Sequence, residues 1–184
     1  MSYSFGHLAP FDMRLLRPAR PNLPPMDIGI RVVFDCHVVT EKTDGNRQQG
    51  STEDQAFWVD CGGNERRFHP DRYRLSQSLP DLIRGLPTGR TKCYGTRKAN
   101  YMVCKAVGAH FGGPHYQVFF DMYRSHGTTA RLVMYVQTAY LKDRPHSAQR
   151  QNERPFATIC AQIAGLIPKA QSGERRRASA KTQS

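Results

Sequence analysis

Residues 116–124 read Tyr-Gln-Val-Phe-Phe-Asp-Met-Tyr-Arg, and residues 130–143 read Ala-Arg-Leu-Val-Met-Tyr-Val-Gln-Thr-Ala-Tyr-Leu-Lys-Asp. Both stretches are rich in β-branched and aromatic residues, and the five residues between them contain Ser, Gly and Thr, which predicts an antiparallel hairpin. The apolar residues Val118–Phe120 and Leu132–Val136 fall on both faces of their strands. We therefore expect this hairpin to lie at the centre of a sheet that is covered on each side.

Further strands follow from alternating apolar residues or from turn signals, at residues 30–41, 57–61, 65–68, 91–94 and 101–107. Helical spacing predicts one short helix after Pro70 and a closing helix at about residues 156–166, where a strand is the alternative. The sequence thus predicts a single α+β domain, with a mostly antiparallel sheet of five or more strands and one or two helices.

The two ends of the chain differ in composition from the middle. Residues 1–26 hold five of the 12 prolines and predict an extended arm. Residues 27–168 form the predicted domain, and residues 169–184 predict a disordered basic tail. The sequence shows neither a secretory signal nor an apolar run of membrane-spanning length, so we expect a cytoplasmic protein.

The charge is strongly asymmetric. The formal net charge of the 184 residues is +12, yet residues 1–60 carry six Lys or Arg and eight Asp or Glu, a net of −2. The remaining residues carry 21 and seven, a net of +14. Many of these cations lie outside the tail, so we expect a basic face on the domain. Such a face attracts polyanions, nucleic acid first, although a merely soluble basic surface is the alternative.

Several common kinds of site are disfavoured. The chain has no P-loop, no G-x-G-x-x-G, no H-E-x-x-H and no G-x-S-x-G motif. The five cysteines include no C-x-x-C pair, and the seven histidines lack the spacing of a zinc site. We therefore expect no metal site and no cofactor.

Cleavage of RNA through its own 2′-hydroxyl needs neither a metal nor a cofactor. This reaction requires a base, an acid and cations or hydroxyl donors on the phosphate, and two segments concentrate such residues. The first, Arg66–Arg74, packs four arginines, a histidine and a tyrosine into nine residues. The second ends the last long strand, where alternation places Thr138, Tyr140 and Lys142 on the face of Leu132, Met134 and Val136. The alternatives are a structural helix-entry loop and ordinary strand formers at a solvated edge.

The segments His115–Asp121 and Arg131–Tyr140 resemble the closing strands of the metal-independent ribonuclease toxins grouped as the barnase, EndoU, colicin and RelE superfamily. The resemblance implies catalytic or phosphate-binding roles for Thr138 and Tyr140, which an upstream His, Arg or Lys completes. The nearest analogues are His69, Arg72 and Lys92. Residues 68–80 are also similar to uncharacterised small bacterial or phage-borne proteins.

We therefore predict a basic RNA-acting protein with His69, Arg72, Thr138 and Tyr140 as catalytic residues. The predicted nucleic-acid contacts are Arg66, Arg67, Arg74, Lys92, Arg97, Lys98 and Lys142. The expected partner is RNA rather than DNA, with a protein inhibitor or an assembly partner as a further candidate. The alternatives are a non-catalytic nucleic-acid-binding protein and a structural protein whose arm and tail wrap a larger assembly.

Overall fold

The computed structural model describes residues 3–19, 25–43, 57–88, 92–96, 101–106, 115–126, 131–142 and 153–168. Ten strands lie in these ranges: β1 (Phe11–Arg17), β2 (Met26–Phe34), β3 (Thr40–Lys42), β4 (Phe57–Val59), β5 (Glu65–Phe68), β6 (Lys92–Gly95), β7 (Tyr101–Ala106), β8 (His115–Arg124), β9 (Leu132–Lys142) and β10 (Glu153–Pro155). The α-helices in the same ranges are α1 (Pro70–Ser76), α2 (Leu79–Gly85) and α3 (Phe156–Ile163). No helix in this described part of the chain is both long and apolar enough to cross a membrane.

The strands form two sheets. The larger has seven strands in the order β1-β2-β9-β8-β7-β6-β10, and the smaller has the order β3-β5-β4. Neighbouring strands run antiparallel except β2 and β9, which are parallel. The predicted α+β class, with a mostly antiparallel sheet, is confirmed, and so is the β8–β9 hairpin near its centre.

Most of the hydrophobic core lies on the face of the larger sheet that carries Phe120, and residues 116–120 of β8 are all buried, so the predicted cover on both faces is present at this strand. The β8 ring of Phe120 is fully buried and meets Phe156 of α3 edge-on, with ring centroids 6.4 Å apart. Beside it, Met122 contacts Cys160 at 3.6 Å. The same core cluster contains the fully buried residues Ile28, Ile30, Val32, Leu79, Ile83, Leu132, Met134 and Val136. Removal of these apolar side chains from water is the main force that holds the helices to the sheet.

A β-bulge in β9 decides which residues leave this core. Val136 pairs with Phe120 and Thr138 pairs with Phe119, so Gln137 is an extra residue in β9. Directly paired residues point to the same face, and neighbours along β8 point to opposite faces. Thr138 therefore faces away from Val136 and from the face of the sheet on which Phe120 meets Phe156 of α3.

The bulge corrects one prediction from the sequence. Strict alternation placed Thr138 and Tyr140 on the face of Leu132, Met134 and Val136. The structure places Ala139 on that face instead, fully buried opposite Val118. A single extra residue inverts the alternation beyond it, and no side-chain pattern in the sequence marks the position.

The N-terminal segment also differs from its prediction. Residues 11–17 of the predicted arm form β1, which pairs with β2 along its whole length, and Leu15 is fully buried. The arm is thus part of the domain, because Phe11, Met13 and Leu15 alternate as a half-buried strand does. Residues 20–24 and the predicted tail at 169–184 lie outside the described residues.

The long strand predicted over residues 30–41 is interrupted. β2 ends at Phe34, and the side chain of Asp35 accepts a hydrogen bond from the backbone N–H of His37 at 3.0 Å. This contact folds the chain into a short 3₁₀ turn, Cys36–Val38, before β3 begins at Thr40. Asp and Asn side chains commonly compete with a strand in this way. The turn carries the chain from the larger sheet to the smaller one.

Gly63, in the turn between β4 and β5, adopts a backbone conformation that favours glycine. Gly63 has φ +76°, and a Cβ added there would meet nothing within 4 Å. Gly63→Ala is therefore expected to lower the free energy of unfolding by about 1–2 kcal/mol through backbone strain alone. The matched control is Gly85→Ala, which also has open space but ordinary helical φ, and it should leave stability equal or raised by up to about 1 kcal/mol. Equal losses in both variants, measured by denaturant unfolding, would contradict this explanation.

Candidate functional site

A groove lies between the first turn of α1 and the end of β9. Its volume is about 470 Å³, and it is lined by His69, Asp71, Arg72, Leu75, Tyr140, Leu141 and Lys142. Three of the four predicted catalytic residues thus border one groove. The fourth, Thr138, contacts a backbone carbonyl that also holds Arg72. The structure therefore brings together two segments that are almost 70 residues apart in the chain.

Arg72 is the central cation of this groove. Its Nη1 donates to the backbone carbonyl oxygens of His37 at 3.1 Å and of Thr40 at 2.5 Å. Burial lowers the pKa of Arg72 from its usual value, but a guanidinium stays charged at neutral pH even so. Within the described residues, Nε and Nη2 donate no hydrogen bond. The two carbonyls thus fix the guanidinium in place and leave part of its donor fork for a ligand.

Thr138 binds the same turn. Its Oγ1 donates to the carbonyl oxygen of His37 at 3.3 Å, so this oxygen accepts from both Thr138 and Arg72. The hydroxyl keeps its lone pairs, and the long distance indicates a weak bond. The 3₁₀ turn Cys36–Val38 therefore binds one side chain from α1 and one from β9.

Tyr140 presents its phenol to the groove. The ring stacks on Phe119, with centroids 5.4 Å apart and planes at 21°. The guanidinium carbon of Arg72 lies 5.8 Å from the ring centroid, and Nζ of Lys142 lies 5.7 Å from it. Burial raises the pKa of Tyr140, and the charge of Arg72 offsets part of this rise. The phenol is therefore protonated at neutral pH and can serve as a proton donor.

His69 caps α1. Its Nδ1 accepts a long hydrogen bond, 3.4 Å, from the backbone N–H of Arg72, and its Nε2 lies 3.7 Å from Oε2 of Glu41. When the imidazole is neutral, this arrangement places the proton on Nε2. His69 thus has a structural partner on each ring nitrogen as well as a side exposed to the groove.

Arg66 is committed to the interior of the protein. Only 8% of the residue is exposed, its Nε donates to Oγ1 of Thr40 at 2.8 Å, and its Nη1 lies 3.8 Å from a carboxylate oxygen of Asp60. These contacts join β3, β5 and the turn after β4. The predicted phosphate-contact residue Arg66 is therefore not among the residues that line the groove.

The other predicted cations are spread more widely. Arg67 and Arg74 are exposed and pair with Glu41 at 2.5 Å and with Asp71 at 2.9 Å. Lys142 lines the groove, whereas Lys92 pairs with Glu153 three strands away from β9. Arg97 and Lys98 lie outside the described residues. The groove itself therefore holds one predicted contact residue, Lys142, beside the catalytic candidates.

Sequence reasoning missed the residues behind the groove. The carbonyls of His37 and Thr40 hold Arg72, and the carboxylate of Glu41 faces His69. These backbone and outer contacts carry no motif. The one available signal was Asp35 two residues before His37, a spacing that favours a turn within an otherwise alternating strand.

Comparison with known proteins identifies one family. The model of the YjaZ family matches residues 1–164, and the chain therefore belongs to that family. Searches of the curated proteins and of the solved structures found no match. The family description names no reaction, so the proposal for function rests on the groove.

Proposed function

We propose that this member of the YjaZ family is a toxin-like, metal-independent endoribonuclease that acts in the cytoplasm and cleaves RNA through its 2′-hydroxyl. One observation supports this proposal above the others. The catalytic candidates His69, Arg72 and Tyr140 line a single groove, although two distant segments supply them.

The charges of the groove suit a phosphodiester. Arg72 and Lys142 supply two cations, and the carboxylate of Asp71 is engaged by Arg74 at 2.9 Å. When a 2′-oxygen attacks phosphorus, negative charge builds up on the non-bridging oxygens. A guanidinium that is already fixed by two carbonyls stabilises that charge without having to reorganise.

Two protons must move during the reaction. The 2′-hydroxyl gives a proton to Nδ1 of His69, which exchanges its long, 3.4 Å hydrogen bond from the backbone N–H of Arg72 for this proton. The phenol of Tyr140 supplies a proton to the departing 5′-oxygen. The O2′–P bond forms and the P–O5′ bond breaks, which yields a 2′,3′-cyclic phosphate and a free 5′-hydroxyl. Solvent then restores both protonation states.

Incubation with labelled single-stranded RNA tests the proposal. In a buffer without added divalent cations, we expect the purified protein to convert the RNA to shorter products, and added magnesium should not increase the rate. The His69→Ala variant, purified in the same way, is the matched control, and we expect it to leave the RNA intact. RNA that stays intact at stoichiometric protein would overturn the catalytic proposal.

A non-catalytic RNA-binding protein is the second candidate. The observation that favours it is that His69 already caps α1, so its imidazole has a structural role that needs no reaction. This candidate predicts affinity that falls steeply with salt and no products.

Lys142→Ala distinguishes the groove from general basic charge. Because Lys142 lines the groove, its loss is expected to weaken RNA binding and to reduce the slope of log K against log salt by about 1. The control is Lys92→Ala. The amine of Lys92 pairs with Glu153, so the RNA affinity of this variant should stay close to that of the unmodified protein. Equal weakening in both variants, measured by fluorescence anisotropy, would argue against the groove as the RNA site.

A further inference from the structure

A second cluster of reactive side chains lies behind the groove. The end of β2 brings Asp35, Cys36 and His37 together, and their potential ligand atoms all lie within 4.8 Å of one another. Asp60, from the turn after β4, lies beside this cluster, with Oδ2 at 3.2 Å from Nε2 of His37. Oδ1 of Asp35 lies 3.7 Å from the same nitrogen. One imidazole thus stands between two carboxylates and beside a thiol.

We propose that this cluster binds one zinc ion through the carboxylate of Asp35, the thiolate of Cys36 and the imidazole of His37, with water completing the tetrahedron. These are the nitrogen, sulfur and oxygen donors that zinc takes in proteins. Zinc bonds of about 2.0–2.1 Å in a tetrahedron set neighbouring nitrogen and oxygen donors roughly 3.3 Å apart. The ligand atoms of Asp35, Cys36 and His37 lie within 4.8 Å of one another, so small side-chain movements would bring them to the separations that zinc requires.

Outer contacts orient both carboxylates toward the imidazole. The phenol of Tyr135 donates to Oδ2 of Asp35, which leaves Oδ1 on the side of His37. The backbone N–H groups of Gly62 and Asn64 donate to Oδ1 of Asp60 at 3.0 and 2.9 Å. Oδ2 of Asp60 accepts from Nδ2 of Asn64 at 3.2 Å and lies 3.2 Å from Nε2 of His37, so this carboxylate holds the imidazole from outside the cluster. Fixing of the ligands by a second layer of hydrogen bonds is typical of metal sites.

The position of the cluster gives the ion a structural role. None of the three ligand side chains lines the groove, but the carbonyl oxygen of His37 accepts from both Arg72 and Thr138. An ion that locks the 3₁₀ turn would fix this carbonyl and so preorganise the guanidinium. The site stands on its own, since it neither requires nor excludes RNA cleavage.

Metal binding by the full chain tests the inference directly. Cobalt added to the chelator-treated protein is expected to give a saturable thiolate-to-cobalt absorption band at one ion per chain, and zinc should then displace the cobalt and remove the band. Elemental analysis of protein purified without chelator should find zinc at the same ratio. Protein that binds neither ion in a saturable way would overturn the proposal.

Variants assign the ligands. Cys36→Ser should lose the absorption band, whereas Cys61→Ser, which alters the exposed thiol next to Asp60, should keep it. Tyr135→Phe removes only the outer hydrogen bond to Asp35 and should weaken zinc affinity by roughly 10–100-fold. Circular dichroism of each variant confirms that it is folded. A band that survives in Cys36→Ser, or a Tyr135→Phe affinity equal to that of the unmodified protein, would contradict the assignment.

Discussion

Replacement of Tyr140 by phenylalanine is expected to lower the rate of RNA cleavage about 100-fold or more, since loss of a positioned acid typically removes a factor of 10²–10⁴. The ring should keep its place, because it stacks on Phe119 and not through the hydroxyl. RNA affinity and the free energy of unfolding should therefore change little. Single-turnover rates and binding isotherms, measured on the same preparation, separate the two effects.

Tyr123→Phe is the matched control for this variant. Tyr123 lies on the neighbouring strand β8 and is 50% exposed, well away from the residues that line the groove. Its hydroxyl should contribute nothing to cleavage. If Tyr140→Phe cleaved RNA as fast as Tyr123→Phe, Tyr140 would not be the acid.

Arg72→Gln is expected to affect both stability and function. Its loss leaves the carbonyls of His37 and Thr40 without their charged donor, which should lower the free energy of unfolding by about 1–3 kcal/mol. It also removes the cation that faces the phosphate, so cleavage should fall below detection and RNA affinity should drop. Denaturant unfolding and the cleavage assay measure these two losses separately.

Two further variants separate the roles of Arg72. Arg72→Lys keeps the charge but not the planar fork, so it should recover RNA affinity more than cleavage. Arg74→Gln removes an exposed arginine two residues away whose partner is Asp71, and such a helix pair contributes only about 0.2–0.5 kcal/mol. If Arg72→Gln and Arg74→Gln lost cleavage and RNA affinity equally, Arg72 would not be the cation that binds the phosphate.

The fold was predictable where local pattern and tertiary environment agree. The strands at residues 116–124 and 130–143 carry long apolar runs on either side of a polar turn, and they pair as expected. The turn at Gly63 adopts positive φ, which the Gly-Gly-Asn sequence indicates. Spacing of apolar residues likewise located α3.

The differences between the predicted and the observed strands depend on single residues or on partners that are distant in the chain. The extra residue Gln137 shifts the β8–β9 register, although the composition around it is that of an ordinary strand. Asp35 ends β2 through one hydrogen bond to His37. β1 joins the sheet because β2 offers it an edge, which the proline-rich composition around it does not reveal.

The candidate site was likewise predictable only in part. Residue types alone singled out His69, Arg72 and Tyr140, since their chemistry suits a phosphodiester. Their common groove arises because α1 lies beside the end of β9, and the carbonyls behind Arg72 belong to the turn after β2 and to the start of β3. The Asp35–His37 cluster was not expected, because zinc motifs are recognised by regular spacing and here the three residues are adjacent in the chain.

Analysis of the ends of the RNA products tests the central proposal most directly. A short RNA and the same sequence with 2′-deoxyribose throughout are incubated with the protein, and the products are identified by mass spectrometry. We predict that the RNA gives fragments ending in a 2′,3′-cyclic phosphate and a 5′-hydroxyl, and that the deoxy strand stays intact. Cleavage of the deoxy strand, or RNA fragments ending in a 3′-hydroxyl and a 5′-phosphate, would contradict the proposed reaction.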